Sequence, residues 1–431
     1  MSSAKLINRM ENPIRPASLD EAALADIEVL ECPYPTYDLL REMAPVWQDP
    51  LTGLYVITRY DDLRVILKDT ETYSNRRPEY DFDTLTGPAL RVHELFKEKG
   101  WVTEPSLAGR DDPDHKLMRA VFDKAFRAGR IRELDPVVRD LAYDLVDKFI
   151  DDGACDFVQQ MAVPLPLILI CRQMGAKDED IWQIKKWTDA WIKGRGFGLT
   201  EDEMMWSAEM EIEQQHYFQP IFEQLRREPN DTLLSDLVNH VIPEWGRTLR
   251  DEELHAHMTQ DTFVGGSETT TNALSAGIML LAYNKPVWEK LKADPDKYLK
   301  TFCEEVVRLE SPVQGLGRIT TRDVELHGVS IPKGSGIMLR FAAGNRDAGQ
   351  FECPNDIDLE RKNAGSHLGF SSGTHHCLGA PLARRELHWG FKAFIDRIDD
   401  FWLAEGKNDL RHLPNYGLRI LKELHIEFVK K

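Results

Sequence analysis

The chain has 431 residues, 42% of them hydrophobic, enough to bury a large core without disulfide or metal staples. Acidic residues outnumber basic ones, 72 to 54, and the net charge of −18 disfavours nucleic acid and anionic membrane surfaces as partners. No apolar run reaches the ~20 residues that a bilayer demands, so no membrane anchor is expected. No signal peptide opens the chain, and its six cysteines lack framework spacing, which points to a reducing cytoplasm. With no linker, low-complexity tract or repeat, residues 1–431 read as a single domain.

In chain order, residues before about Pro33 read as an arm that orders on contact, and Tyr37 to Met43 as a first helix. Val46 to Tyr60 alternates apolar and polar residues around Thr52-Gly53, the pattern of a β-hairpin. Asp61 or Asp62 is placed to cap a helix over Leu63 to Leu67. Asn75 to Gly109 shows no sustained period and reads as a long irregular connection, either functional or a mobile surface loop. A helix then starts after proline in Asp112-Pro-Asp-His-Lys-Leu-Met-Arg119. His115 and Arg119, four apart, share one face, as an ordinary solvated surface or as a grip for one anion. Leu134 to about Val238 is helical in period, broken at Gly153, Gly175 and Arg195-Gly-Phe-Gly198. Val163 to Ile170, short and proline-broken, reads as core.

Asp251 to about Tyr283 reads as one long helix stopped by Asn284 and Pro286. Its middle, Val264-Gly-Gly-Ser-Glu-Thr-Thr-Thr271, sets two helix-weakening glycines beside an acid and hydroxyls. Such a stretch is either a packing notch whose hydroxyls bond back to carbonyls one turn earlier, or an opening at which Glu268 and Thr269 face a ligand. Glu305 and Arg308 lie three apart on a helix ending at Ser311-Pro312. Arg318 to Arg322 and Val324 to Ile331 alternate as strands. Near the end, His367-Leu-Gly-Phe-Ser-Ser-Gly-Thr-His-His-Cys-Leu-Gly-Ala380 is a glycine-punctuated loop that delivers Cys377 to the start of a helix carrying Pro381 in its first turn. Cys377 is open to three roles: a buried free thiol, part of a zinc site with His367, His375 and His376, or a haem-thiolate ligand.

Phe370-Ser-Ser-Gly-Thr-His-His-Cys-Leu-Gly379 resembles the haem-binding loop of the cytochrome P450 family, with Ser371 standing where the family usually has glycine. Further motifs follow the family's order along nearly the whole chain: His115 with Arg119, the glycine–acid–alcohol stretch at Glu268-Thr269, Glu305 with Arg308, and Ala342 to Asp347. The resemblance implies a mainly α cytochrome P450 fold, a large helical domain with a smaller β-rich side, enclosing haem b. It implies Cys377 as the iron ligand, His115, Arg119, Arg318 and His375 as contacts to the haem propionates, and Glu268 and Thr269 as catalytic residues over the distal face. Glu305 and Arg308 then anchor the scaffold beneath the haem, Phe96, Trp101 and Val102 wall the substrate pocket, and residues 195–199 form a lid. The implied activity is insertion of one oxygen atom from O2 into a small hydrophobic substrate such as a terpenoid, steroid, aromatic or fatty acid. No flavin or ferredoxin region fits in the length, so electrons come from a separate redox partner. An acidic ferredoxin suits Arg384, Arg385, Lys116, Lys124 and Arg127. The alternatives are a peroxide-driven peroxygenase on the same fold and a non-catalytic haem sensor or carrier.

Overall fold

The computed structural model describes residues 16–76, 82–196 and 198–431. The first fifteen residues of the expected arm, Phe197 of the expected lid and residues 77–81 lie outside them. The described chain forms two compact units, each gathered from separate stretches. One takes the residues up to Ser74 with Asp135–Leu165 and Thr269–Lys431, and the other takes Asn75–Leu134 with Pro166–Glu268. Among the described residues no helix is long and apolar enough to cross a membrane.

In the first unit the expected hairpin forms: Val46–Gln48 pairs antiparallel with Tyr55–Ile57, and Gly53 supplies the left-handed residue of the turn at φ +71°. Tyr55–Ile57 then runs parallel to Gly336–Leu339, which pairs with Leu316–Thr320 and through it with Tyr73–Ser74, completing a five-stranded sheet. Ile57, Leu63, Leu339, Phe341, Phe351 and Leu368 bury its inner face. The helix after the hairpin starts earlier than expected, at Tyr60–Ile66, and neither Asp61 nor Asp62 caps it. Its first N–H, on Tyr60, donates instead to Asp347 at 3.0 Å, a residue 287 positions away. The first helix also starts earlier, at Tyr34–Met43, and a short helix Ile27–Glu31 precedes it.

Three helices make the centre of this unit: Thr269–Tyr283, Pro295–Glu310 and Ala380–Arg397. Their closeness depends on glycine at two crossings. A Cβ on Gly277 would lie 2.3 Å from the Phe391 ring, and one on Gly390 would lie 2.7 Å from Leu274. The side chains that close around these crossings, among them Leu274, Val306 and Phe391, are buried, each worth about 1.5–3 kcal/mol of transfer free energy.

The second unit is helical. Gly87–Lys99 is a 13-residue helix within the stretch expected to be irregular. Pro88 sits in its first turn, where a missing N–H costs nothing, and Leu95 and Phe96 bury against Ala208 and Ile212. Phe96 thus packs within this unit. Trp101 is tied down at its backbone: its N–H donates to Gln215 at 2.9 Å and its carbonyl accepts from the same amide at 2.9 Å. Helices Ile181–Lys193 and Glu201–Arg227 flank the break at residues 195–199, and Thr200 with Glu203 forms a capping box at the second. The helix expected from Asp251 to Tyr283 is three segments: α over Asp251–Ala256, π over His257–Glu268, and α again from Thr269 in the first unit.

Candidate functional site

Cys377 sits three residues ahead of the helix Ala380–Arg397, and its N–H donates to the Phe370 carbonyl at 2.8 Å, closing the loop on itself. The loop needs positive φ twice. Gly373 has φ +72°, and a Cβ there would lie 2.4 Å from the Leu67 carbonyl oxygen, so only glycine fits. Ser371 has φ +58°, so the serine adopts the backbone that glycine would take, and among the described residues its hydroxyl has no hydrogen-bond partner. Loop residues 371–379 are half-buried or exposed, whereas Ala380 is fully buried.

The other cysteines are poor candidates for a ligand. Cys155, Cys171 and Cys303 are buried, and burial pushes each thiol up, Cys171 to about 12. Cys32 is buried among apolar side chains, and Cys353 is exposed, outside any glycine-rich loop. The zinc alternative fails on geometry, because among the described residues no three His, Cys, Asp or Glu side chains converge on an ion site.

Beneath the loop, Glu305 and Arg308 are buried rather than exposed, and they form a two-pronged pair at 2.6 and 2.9 Å. Arg308 also donates to the carbonyls of Asn345, Pro354 and Asp356, while Glu305 accepts from the Asp358 N–H at 3.0 Å. In the same unit Arg318 is buried on strand Leu316–Thr320, donating to the Gly317 carbonyl, and His375 is half-buried in the turn Gly373–His375. In the second unit, His115 and Arg119 lie in helix Asp114–Ala125. His115 is 1% exposed with Nδ1 3.4 Å from Asp112, and burial lowers its pKa despite that carboxylate. Arg119 pairs with Asp123 at 3.0 Å.

The glycine–acid–alcohol stretch combines back-bonded hydroxyl packing with locally exposed backbone. Ser267 bonds back to the Phe263 carbonyl at 2.6 Å, as a hydroxyl in a packing notch would. Yet Gly265 is exposed and Gly266 and Thr269 are half-buried, in the midst of buried Val264, Ser267, Glu268 and Thr270. Glu268 ends the π-helical run. Its carboxylate lies 3.2 Å from the Lys185 ammonium and accepts from the Thr188 hydroxyl at 3.3 Å. Burial pushes the Glu268 carboxyl up, while Glu268 and Asp189 together hold the Lys185 ammonium above its ordinary value against its own burial. Asp189, which pairs with Lys185, is 55% exposed.

A second buried acid was not anticipated. Glu386, on the cysteine helix, is 2% exposed and accepts from the Thr270 hydroxyl at 3.1 Å. Burial without a cationic partner pushes its carboxyl up to about 8. The folded chain therefore keeps a proton that the unfolded chain releases above about 4.3. Its contribution to stability is complete below that value, declines as pH rises through the window to about 8, and is flat beyond. Glu386→Gln, which keeps the acceptor for Thr270 and cannot ionise, is expected to gain on wild type by about 3–5 kcal/mol between pH 4.5 and 8.5. Denaturant titrations at both pH values measure it, and parallel pH profiles would refute a buried proton on Glu386.

The cytochrome P450 family model matches residues 202–399. The polyketide biosynthesis cytochrome P450 PksS of Bacillus subtilis is 32% identical over 87% of this chain and 89% of its own length. A steroid C26-monooxygenase of Mycobacterium tuberculosis is 31% identical over 79% of this chain and 91% of its own length. Among solved structures, cytochrome P450 CREJ in complex with (4-ethylphenyl) dihydrogen phosphate superposes with TM-score 0.85 at 27% identity, covering 93% of this chain and 98% of that one. P450BioI in complex with an acyl carrier protein ligated to hexadec-9Z-enoic acid gives 0.83 at 26% identity, covering 93% and 100%. A mainly helical chain with a small β-sheet part, a cysteine loop closed on its own backbone and kinship of this extent along its length have one common source: the chain belongs to the cytochrome P450 family and is a haem-dependent monooxygenase.

Proposed function

We propose that the whole chain serves one activity, insertion of one oxygen atom from O2 into a small hydrophobic substrate, with Cys377 holding the haem iron. The residues present fit that group: Cys377 is half-buried in the loop three residues ahead of a helix, and a Cβ placed on Gly379 would stay 4.0 Å from its sulfur. When bound, the haem supplies an iron centre that activates O2 with two electrons, passing one oxygen atom to the substrate and releasing the other as water. His115, Arg119, Arg318 and His375 would hold the propionates as hydrogen-bond donors and cations.

The observation that carries the reading is the Glu268 connection. Its buried carboxyl touches an ammonium that in turn touches a carboxylate more than half in solvent. Glu268, Lys185 and Asp189 would thus move protons inward, and the Thr269 hydroxyl would position the last of them. A peroxide-driven enzyme has less need of such a relay. The relatives' names include a steroid oxidation and polyketide biosynthesis, and one neighbour holds a fatty acyl group, which favours a substrate of that apolar, lipid-like class.

Electrons would come from a separate acidic ferredoxin. Arg384 and Arg385 are committed to Glu304 and Asp135, which leaves exposed Lys116, Lys124 and Arg127 as the freer positive charges for docking. In a reconstituted assay, Thr269→Ala is expected to keep its haem and substrate binding while product per NAD(P)H falls about tenfold and hydrogen peroxide rises to match. Glu268→Gln is expected to slow turnover by ~100-fold with less loss of coupling, because it removes the carrier rather than the positioning group. Unchanged coupling in Thr269→Ala removes Thr269 from the relay. The same assay at rising salt reads the docking, because screening must slow electron transfer if opposite charges guide it.

A further inference from the structure

We propose that Glu304 is a positioning residue that fixes the geometry of the cysteine loop from below, acting through His367 and Arg384; this rests on Cys377 being the iron ligand. Glu304 is the neighbour of the scaffold glutamate Glu305 in helix Pro295–Glu310, and its side chain leaves the helix toward the loop rather than toward Arg308. One carboxylate oxygen accepts from Arg384 Nε at 2.6 Å. The other accepts from Arg384 Nη2 at 3.0 Å and lies 3.1 Å from His367 Nε2. His367 Nδ1 accepts the Gly369 N–H at 3.1 Å, so that nitrogen carries no proton, and Nε2 must donate to Glu304. One carboxylate thereby fixes the tautomer of a histidine that holds the loop's first turn. Despite its burial, the hydrogen bonds from His367 and Arg384 hold Glu304 at about 2, so it is charged throughout the physiological range.

The two partners grip the loop at both ends. His367 stands where the loop begins, and Arg384 stands on the helix into which the loop runs. Between them lies Phe370, its ring 4.6 Å under the Arg384 guanidinium and 5.5 Å from the His367 ring. The Phe370 carbonyl is the acceptor for the Cys377 N–H at 2.8 Å. Glu304 thus sets His367 and Arg384, these two set Phe370, and Phe370 sets the backbone of the cysteine. The Leu368 N–H, donating to Asn345 at 2.6 Å, adds a separate tie that leaves the loop folded when Glu304 is changed.

Glu304→Gln is the informative change. An amide offers one accepting oxygen, and its NH2 must then face Arg384 or His367, both of which are donors, so one grip opens. Losing an outer partner of this kind costs about 10- to 100-fold in retention of a bound metal group. The expected result is haem loss to an acceptor protein about tenfold faster than wild type, and a carbon monoxide complex of the reduced protein divided between thiolate and neutral-thiol bands. The control is Glu310→Gln on the same helix, a buried carboxylate held by Arg419 at 3.1 Å and remote from the loop's ties. Glu304→Gln must show the spectral change and Glu310→Gln must not. Wild-type spectrum and haem loss in Glu304→Gln overturn the proposal, as does an equal effect in Glu310→Gln. Should Glu304→Gln not accumulate as folded protein, Arg384→Lys keeps the charge but loses the fork, and a wild-type spectrum there is equally fatal. A wild-type protein with no thiolate band would overturn instead the assignment of Cys377.

Discussion

Cys377→Ala is expected to abolish the thiolate-type Soret band of the reduced, carbon monoxide-bound protein and to leave the chain folded. The change removes one half-buried sulfur and no backbone contact: the N–H to Phe370 and the left-handed turn at Gly373 remain available to alanine at 377. Little apolar burial is lost, so the cost in stability stays near the ~1 kcal/mol typical of a point change. Haem retention, by contrast, is expected to fall by more than the 10- to 100-fold that an outer partner is worth, because the proposed direct ligand is gone. Absorbance of the reduced carbon monoxide complex and haem content per chain make the measurement. Persistence of the band in Cys377→Ala, with its loss in Cys353→Ala, would move the ligand to the one exposed cysteine among the described residues.

Arg308→Ala is expected to prevent accumulation of a folded, haem-binding protein. Exposed ion pairs of this spacing are worth a few tenths of a kcal/mol. Here both partners are 0% exposed, and Arg308 feeds three carbonyls as well as Glu305. Truncation strands those acceptors and weakens the compensation of a buried carboxylate, leaving Arg361 at 3.1 Å as its remaining cation. Breaking a buried pair from one side costs about 3–5 kcal/mol, and each stranded acceptor adds ~1 kcal/mol or more. That sum rivals the whole stability of a typical domain. Arg308→Lys keeps the charge but cannot reach four acceptors in the plane of a fork, so it should fall between the two. Soluble yield and cooperative melting measure both variants, and an Arg308→Ala protein melting near wild type would make this pair dispensable.

What could be read from the sequence was whatever depends on neighbours in the chain. The cysteine loop, the hairpin at Gly53, the break at 195–199 and the Glu305–Arg308 helix carry their geometry in local spacing, and they lie where spacing puts them. The helix Gly87–Lys99 was missed although Pro88 marks its first turn, because its few apolar contacts answer to Ala208 and Ile212, over a hundred residues away. Asp347 capping Tyr60, Thr188 facing Glu268 and Thr270 meeting Glu386 are likewise encounters across 80 to 287 positions. No periodicity announces them. Glu304 was hidden for another reason: it stands beside a motif glutamate, and only burial reveals that the two acids point to different tasks.

Ser371 leaves this protein with unused evolutionary headroom. A side chain at φ +58° forgoes roughly 1–2 kcal/mol relative to an unstrained backbone, and its buried hydroxyl recovers none of it by hydrogen bonding among the described residues. Natural chains drift close to the stability they need, and a descendant that placed glycine here would gain a margin comparable to one ordinary deleterious mutation. Such a lineage could tolerate an otherwise prohibitive change in its substrate-facing residues, so position 371 is a place from which new specificities become reachable.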